Sequence, residues 1–165
     1  MIHIYYGDGK GKTSHAIGIC IRQIACDQKV AWIAFLKQES SEYQILKQSC
    51  DLFVDYPSNK FYFMMNKEEQ QEIKQRQIQL WKQIKINTKN YDCIILDELL
   101  DAINLEMIEL NDVLKYCLDN QDKEIIITGR NPDEKLIEIS DYVSEMKCIK
   151  HPYQKQIKAR KGIEY

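Results

Sequence analysis

The segment GDGKGKTS at residues 7–14 constrains the fold of this chain more than any other feature. It follows a short apolar stretch, Ile2–Tyr6, and from Thr13 onward apolar residues recur with the period of a helix. Three of the six glycines in the 165-residue chain lie within it. A strand, a glycine-rich turn and a helix that opens with Gly-Lys-Thr are typical of a phosphate-binding loop. Glycines let successive backbone N–H groups point at phosphate oxygens, and the helix N-terminus adds partial positive charge.

The loop therefore predicts a nucleotide site, with phosphates held by Gly7, Asp8, Gly9, Lys10, Gly11, Lys12, Thr13 and Ser14. Lys12 is expected to neutralise phosphate charge, and the Thr13 hydroxyl is expected to bind Mg²⁺. The alternative is an ordinary tight turn with a solvated lysine, but the flanking strand and helix favour phosphate binding. The loop is a shortened variant, because only three residues separate Gly7 from Gly11 where four are usual.

The rest of the chain alternates apolar runs with helical patterns. Further strands are predicted at Lys29–Leu36, Leu52–Tyr56, Cys93–Leu96, Ile125–Ile127 and Tyr142–Cys148. Helices are predicted from Thr13, over Lys67–Thr88, over Val113–Leu118 with Asn111 as its cap, and within Asn131–Leu136, where Asn131 would cap it. This alternation predicts an α/β fold of the P-loop NTPase (RecA-like) type, a mostly parallel sheet with helices on both faces. A length of 165 residues suits a single domain over residues 1–165.

Two more polar clusters follow predicted strands, and ligands of such sheets bind beyond the carboxyl ends of the strands. Asp97 and Glu98 can supply carboxylates to a metal ion, with either residue as the direct ligand; the alternative is a pair of acids at a helix start. Arg130 is a candidate for the phosphate tail, or else a surface arginine. We therefore expect the glycine loop, the acid pair and the Thr128–Arg130 segment to converge at one edge of the sheet.

Composition excludes several classes of protein. The chain has 23 basic and 25 acidic residues and a net charge of −2, which argues against a nucleic-acid binder. No apolar run approaches the length of a membrane span, and the N-terminus enters a strand pattern at once, so we expect a cytoplasmic protein that is not bound to a membrane. The six cysteines form no C-x-x-C pair, which favours free thiols over a metal or disulfide framework.

Several segments together resemble the ATP:corrinoid adenosyltransferases of the CobA/BtuR/CobO type. They are GDGKGKTS, VAWIAFLK, CIILDELLDAI, IIITGRNPDEKLIEISDYVSEMKCIKHPY and the terminal IKARKGIEY. The most specific are the shortened loop, the T-G-R segment that leads to D-x-V-S-E-M, and the closing G-I-E-aromatic. The resemblance covers nearly the whole chain, from Ile2 to Tyr165.

The resemblance implies a transferase of cobalamin biosynthesis. Its substrates would be ATP and a corrinoid reduced to Co(I), which attacks the 5′ carbon of ATP and displaces triphosphate. Lys12, Thr13 and Glu98 would be the catalytic residues, and Thr13, Asp97 and Glu98 would hold Mg²⁺ or Mn²⁺. No general base is required, which agrees with the ordinary positions of His3, His15 and His151. A homodimer and an electron donor such as a flavodoxin-like protein are also implied.

The resemblance places corrinoid-binding residues in the segment Lys60–Asn66. Phe63 aligns with an aromatic residue that packs against the lower face of the corrinoid and helps to keep the lower ligand away. Met65 stands where some members have a partner tryptophan. Plain core packing is the alternative role for this segment, because aromatic and methionine clusters are usually core.

Three other functions remain alternatives at this point. A small-molecule kinase, of the thymidine kinase kind, would share the phosphate loop and an internal Asp-Glu pair. A non-catalytic module could bind ATP and deliver corrinoid to a partner, and a nucleotide switch would need loops that sense the γ-phosphate. The products formed from ATP distinguish them.

Overall fold

Six parallel strands form the centre of the protein in this computed structural model, which describes residues 1–37 and 40–163. They are β1 (Ile2–Tyr6), β2 (Val30–Ala34), β3 (Asp51–Val54), β4 (Cys93–Asp97), β5 (Glu124–Gly129) and β6 (Tyr142–Glu145). Their order across the sheet is β3-β2-β4-β5-β1-β6, and every pairing is parallel. Each strand matches one of the predicted strands, with ends that differ by up to three residues.

Helices cover both faces of the sheet. They are α1 (Lys12–Ala25), α2 (Tyr43–Ser49), α3 (Lys67–Asn87), α4 (Leu99–Asn104), α5 (Leu110–Asp119) and α6 (Glu134–Glu138). Side chains of β4 alternate between two cores: Ile94 and Leu96 pack with α3 to α6, whereas Ile95 packs with α1 and α2. The parallel sheet between two helical layers confirms the predicted α/β P-loop fold.

Two predicted helix starts are wrong. Helix α5 begins at Leu110 with Glu109 as the preceding cap residue, so Asn111 lies inside the helix and does not cap it. Helix α6 begins at Glu134, because the side chain of Asp133 accepts a hydrogen bond from the backbone N–H of Lys135 at 2.9 Å. Asn131 instead adopts a left-handed turn conformation, with φ 46°.

Helix α3 is capped at its N-terminus and contacts the segments that follow two strands. The cap is a complete capping box, in which Asn66 and Glu69 exchange side-chain to backbone hydrogen bonds. Farther along, fully buried Gln77 accepts a hydrogen bond from the N–H of Leu36 at 3.0 Å and donates one to the carbonyl of Asp55 at 2.7 Å. One side chain therefore ties the chain after β2 to the chain after β3.

All six cysteines are free thiols, and Cys20, Cys93 and Cys117 are buried. Within the described residues, no helix is both long enough and apolar enough to cross a membrane. The closing G-I-E-aromatic segment is described only to Ile163, so its last two residues lie outside the described ranges.

Candidate active site

A cleft of about 650 Å³ opens at the carboxyl ends of the central strands. This volume lies within the range of small-molecule sites. Its lining includes loop, strand-end and aromatic residues: Gly9, Lys10, Gly11, Lys12, Thr13, Ser14, Leu36, Lys37, Phe61, Phe63, Glu98, Asp101, Thr128 and Arg130. The expected convergence of the glycine loop, the acid pair and the Thr128–Arg130 segment is confirmed. Gly7, Asp8, Asp97 and Met65 lie outside this lining.

The glycine loop packs against the backbone that follows β6. The N–H of Gly9 donates to the carbonyl of Met146 at 2.7 Å. A Cβ atom at Gly9 would lie 2.6 Å from that carbonyl oxygen, and one at Gly7 would lie 2.5 Å from it. Gly7 and Gly11 also adopt left-handed φ values of 116°. Close backbone approach thus requires glycine at positions 7 and 9, and this contact links the loop to the D-x-V-S-E-M segment.

We expect Gly9→Ala to destabilise the protein by about 1–3 kcal/mol, the usual cost of overpacking, because the new methyl group meets backbone atoms of Met146 that cannot rotate away. Gly18→Ala is the matched control. Gly18 lies in α1, and a methyl group there would meet no atom of the described residues within 4 Å, so alanine should stabilise the helix by up to about 1 kcal/mol. Urea unfolding measures the free energy of unfolding of both variants. Equal changes in the two variants would contradict the close approach of Gly9 to Met146.

Lys12 is the first residue of α1, and its side chain reaches back to the backbone of the glycine loop. Its Nζ donates to the carbonyl of Gly7 at 2.6 Å and to that of Gly9 at 2.9 Å. Burial lowers the pKa of Lys12, and the nearby charge of Arg130 lowers it further. Two cations therefore border the same part of the cleft, an arrangement that favours an anionic ligand.

A buried hydrogen-bond network joins the loop to the ends of β4 and β5. The carboxylate of Asp97 is fully buried, and its Oδ1 accepts from the hydroxyls of Thr13 at 3.0 Å and Thr128 at 2.7 Å. The hydroxyl of Thr128 accepts in turn from the N–H of Glu98 at 2.9 Å. Asp97 thereby fixes the orientation of the Thr13 hydroxyl.

Lys37 completes this network, and the sequence analysis did not identify it. Its Nζ donates to Oδ2 of Asp97 at 2.7 Å and to the hydroxyl of Thr13 at 3.0 Å. Burial lowers the pKa of Lys37, but the charges of Asp97 and Glu98 outweigh burial, so the pKa is raised overall. A lysine directly after the apolar run of β2 was the available signal, because that position falls at the carboxyl end of a parallel strand.

Glu98 stands at the start of α4 in a left-handed conformation, with φ 61°. Burial, together with the neighbouring Asp97 carboxylate, raises the pKa of Glu98 to about 7. A bound cation near this buried carboxylate would stabilise its charged form and so lower its pKa again.

The oxygens of Thr13, Asp97 and Glu98 are the ligand type that Mg²⁺ prefers. Over residues 1–37 and 40–163, no group of three or more His, Cys, Asp or Glu could hold a metal ion. Mg²⁺ bound with a nucleotide usually takes one or two carboxylates together with phosphate oxygens and water, and the chemistry of these three side chains fits such a site.

Arg130 lies at the rim of the cleft. Its Nε is 3.5 Å from Oδ1 of the exposed Asp8. Asp101 lines the cleft nearby, and burial raises the pKa of its carboxyl group. The sequence analysis did not identify Asp101, which lies inside the short helix α4.

Two aromatic rings form part of the apolar lining of the cleft. Phe61 and Phe63 stack with ring centroids 5.6 Å apart and an interplanar angle of 6°. They remain 62% and 75% exposed, whereas Met65 is 7% exposed and packs in the core. The structure thus stacks Phe63 on Phe61, another member of the Lys60–Asn66 segment, rather than on Met65. The position of Met65 favours the core-packing alternative for that residue.

The chain is similar over its whole length to one family of known proteins. The family model of the ATP:corrinoid adenosyltransferases BtuR/CobO/CobP matches residues 1–165. A corrinoid adenosyltransferase of Sinorhizobium sp is 27% identical over 172 residues, covering 100% of this chain and 80% of the relative. One from Escherichia coli K12 is 26% identical over 170 residues, with coverage of 100% and 85%. One from Pseudomonas aeruginosa is 29% identical over 171 residues, with coverage of 98% and 82%.

Proposed function

The chain belongs to the ATP:corrinoid adenosyltransferase family, and from this membership we propose how its own side chains carry out the reaction. The enzyme transfers the 5′-deoxyadenosyl group of ATP to the Co(I) centre of a reduced corrinoid and releases triphosphate. ATP and the corrinoid are its two substrates. Nothing in the cleft, as far as the described residues line it, favours the kinase, delivery-module or switch alternatives.

One observation carries the assignment of residues to this reaction. A single cleft holds a phosphate-type loop and, in the same lining, an exposed aromatic pair. Lys12 and Arg130 suit the triphosphate of ATP, whereas Phe61 and Phe63 suit the flat apolar face of a corrinoid. Both substrates must meet for the adenosyl group to pass directly from one to the other.

The bond that breaks lies between C5′ of ATP and its bridging oxygen. The electron pair of Co(I) forms the new cobalt–carbon bond, and the pair of the old C–O bond leaves with triphosphate. Negative charge therefore grows on the leaving group, and groups that contact it are expected to stabilise the transition state. We assign this role to Lys12 and to the N–H groups at the N-terminus of α1, with Arg130 at the rim. Co(I) needs no general base to activate it.

The metal role falls to three side chains. The Thr13 hydroxyl and the carboxylates of Asp97 and Glu98 would hold Mg²⁺ or Mn²⁺. When bound, such a cation neutralises phosphate charge. Asp97 orients the Thr13 hydroxyl through the 3.0 Å hydrogen bond. It would therefore contribute to metal binding even if Glu98 were the carboxylate in direct contact with the metal.

The corrinoid role falls to Phe63 together with Phe61. Their stacked rings would pack against the lower face of the corrinoid and keep its lower ligand from cobalt. The reaction also requires an electron donor that reduces the corrinoid from Co(II) to Co(I), and a flavodoxin-like protein is the class that we propose. We further propose a homodimer, which sedimentation would test, and a cytoplasmic location, because the six cysteines are free and ATP is a substrate.

The direct test mixes the protein, MgATP and chemically reduced cobalamin without oxygen. The visible spectrum should change to that of a cobalt–carbon product, and triphosphate should appear in equal amount. ADP with a phosphorylated acceptor would instead support a kinase, and unchanged ATP would support a delivery module.

We expect Glu98→Gln to raise the Mg²⁺ concentration needed for half-maximal activity, because the cation loses a carboxylate ligand, and to raise the stability of the metal-free protein above pH 7. The pKa of Glu98 is raised from 4.5 to about 7, so the folded protein keeps a proton that the unfolded chain releases. Stability is therefore lost as the pH rises through this window. Thermal unfolding without metal or nucleotide should show little gain from the variant at pH 4.5 and a clear gain at pH 8.

Glu106→Gln is the control, because Glu106 is exposed in the turn after α4. It should change neither the pH dependence nor the Mg²⁺ requirement. An equal gain from Glu98→Gln at both pH values would contradict the buried, charge-crowded position of Glu98.

A further inference from the structure

The ammonium group of Lys37 contacts two of the three side chains that we assign to the divalent cation. We propose that Lys37 occupies the cation position in the nucleotide-free protein and must be displaced before Thr13 and Asp97 can bind the metal. This inference rests on the proposed metal role of those residues. It assigns to Lys37 a function that neither the phosphate loop nor the acid pair supplies.

The contacts leave little room for a second cation. Lys37 Nζ lies 2.7 Å from Oδ2 of Asp97 and 3.0 Å from the Thr13 hydroxyl oxygen. The other oxygen of Asp97 already accepts two hydroxyl hydrogen bonds, from Thr13 and Thr128. The side chain of Asp97 is 0% exposed and that of Lys37 is 19% exposed. A carboxylate buried to this degree requires a paired cation, and Lys37 provides it.

The fold holds Lys37 in this position. Leu36 adopts a left-handed conformation, with φ 52°, which turns the chain back toward β4 immediately after β2. Gln77 accepts the N–H of Leu36 at 3.0 Å, and the N–H of Phe35 donates to the carbonyl of Asp97 at 2.9 Å. A non-glycine residue persists in this conformation only where its surroundings hold it there. The orientation of Lys37 is therefore built into the backbone.

The displaced ammonium group of Lys37 has other anionic partners nearby. Oε1 of Glu42 lies 3.8 Å from Lys37 Nζ, and Lys37 itself lines the cleft assigned to the triphosphate. When a metal arrives with ATP, the phosphates offer the ammonium new oxygen partners. A metal that arrives alone brings no such partners and meets the full repulsion of Lys37. Metal binding is therefore coupled to nucleotide binding, and this coupling is reciprocal.

The small number of protein oxygen ligands agrees with this order of binding. We assign three side chains to the cation, those of Thr13, Asp97 and Glu98, whereas Mg²⁺ requires near-octahedral coordination by oxygen. Phosphate oxygens must complete the coordination, and they also give Lys37 its new partners. Lys37 thus weakens the binding of the metal when no nucleotide is present, but not the binding of the metal together with the nucleotide.

The test measures Mn²⁺ binding to the nucleotide-free protein by the electron paramagnetic resonance signal of free Mn²⁺. Lys37→Met keeps the length of the side chain and removes its charge, and it should tighten Mn²⁺ binding by about tenfold or more, within the usual range of coupling between two ligands. Adding Asp97→Asn to this variant should abolish the gain. Lys115→Met is the matched control, because Lys115 pairs with Asp119 at 2.7 Å on the surface of α5. It should leave Mn²⁺ binding unchanged.

A second measurement uses the unaltered protein, because Lys37→Met leaves Asp97 buried without its partner. The ¹⁵N resonance of the Lys37 ammonium should show slow hydrogen exchange without ligands and should shift when MgATP is added. Unchanged or weaker Mn²⁺ binding by a folded Lys37→Met variant would overturn the inference. So would a Lys37 resonance that MgATP does not move.

Failure of this inference is distinguishable from failure of the proposed function. If the wild type binds Mn²⁺ with ATP and Asp97→Asn loses that binding, the metal role stands even where Lys37→Met shows no gain. If Asp97→Asn binds Mn²⁺ with ATP as the wild type does, the metal assignment itself is wrong, and the role of Lys37 is overturned with it. Adenosyl transfer to Co(I), measured separately, tests the reaction in either case.

Discussion

Lys12→Ala is expected to slow adenosyl transfer by about a hundredfold or more, because removing one preorganised group that stabilises developing negative charge commonly costs that much. Lys12 donates to the carbonyls of Gly7 and Gly9 in its own loop. Its loss therefore leaves no cavity in the core and should leave the melting temperature near that of the wild type. Turnover measured with chemically supplied Co(I) isolates the alkyl-transfer step from corrinoid reduction.

Lys115→Ala is the control for Lys12→Ala, since it removes an exposed lysine that pairs with Asp119 far from the cleft. It should keep full activity and a normal KM for ATP. Near-normal turnover and KM in Lys12→Ala would contradict the assignment of residues 7–14 as the phosphate loop. A loss of turnover together with a large fall in melting temperature would indicate that Lys12 stabilises the loop rather than the leaving group.

The sheet was predictable because its central strands are buried on both faces. Parallel strands of this kind contain almost only apolar residues, as in CIIL at the start of β4, and they stand out without any periodicity. Helix α2 was missed for the opposite reason, and α4 entered only as the alternative role of Asp97 and Glu98, that of a helix start. They span Tyr43–Ser49 and Leu99–Asn104, less than two turns each, which is too short for a helical period to appear. Helix α4 also begins two residues after the apolar strand ends, so LLDAIN looks like its continuation.

The polar part of the site was predictable to the extent that local sequence places it. The glycine loop, Asp97, Glu98 and Arg130 each follow a strand, and the carboxyl ends of parallel strands share one edge of the sheet. Lys37 also follows a strand, but its approach to Asp97 depends on a turn at Leu36. That turn is held by Gln77, 41 residues away in the sequence. The position of Lys37 after β2 therefore indicates the correct edge of the sheet, but the local sequence does not indicate its contact with Asp97.

The exposure of the aromatic pair also could not be predicted from the local sequence. The residues Tyr62–Met64 form a 3₁₀ helix, which leaves Phe61 and Phe63 stacked and exposed. Met65 follows at its end and is buried in the core. Which members of FYFMM face the cleft depends on where helix α3 packs against the sheet, and the sequence of the segment does not encode that.

We expect Phe63→Ala to slow the reaction that starts from Co(II) by about tenfold or more, equivalent to roughly 1.4 kcal/mol, while the reaction supplied with Co(I) changes much less. An axial ligand raises the energy of the cobalt orbital that must accept the incoming electron. Loss of the ring that excludes this ligand therefore makes reduction harder. Co(I) binds axial ligands weakly, so its attack on ATP is less affected. Parallel assays with a reductant that acts on bound Co(II) and with pre-formed Co(I) measure the difference.

Met65→Ala supplies the contrast, because Met65 is 7% exposed whereas Phe63 is 75% exposed. Removing the buried methionine should destabilise the protein by about 2–5 kcal/mol and reduce both assays together. Removing the exposed ring at Phe63 should leave the melting temperature nearly unchanged, since it opens no cavity. Phe61→Ala should resemble Phe63→Ala, because the two stacked rings would form one surface beneath the corrinoid. Equal losses in the Co(II) and Co(I) assays for Phe63→Ala would show that this pair does not exclude the lower ligand, and the corrinoid would then have to be held by other residues of the cleft.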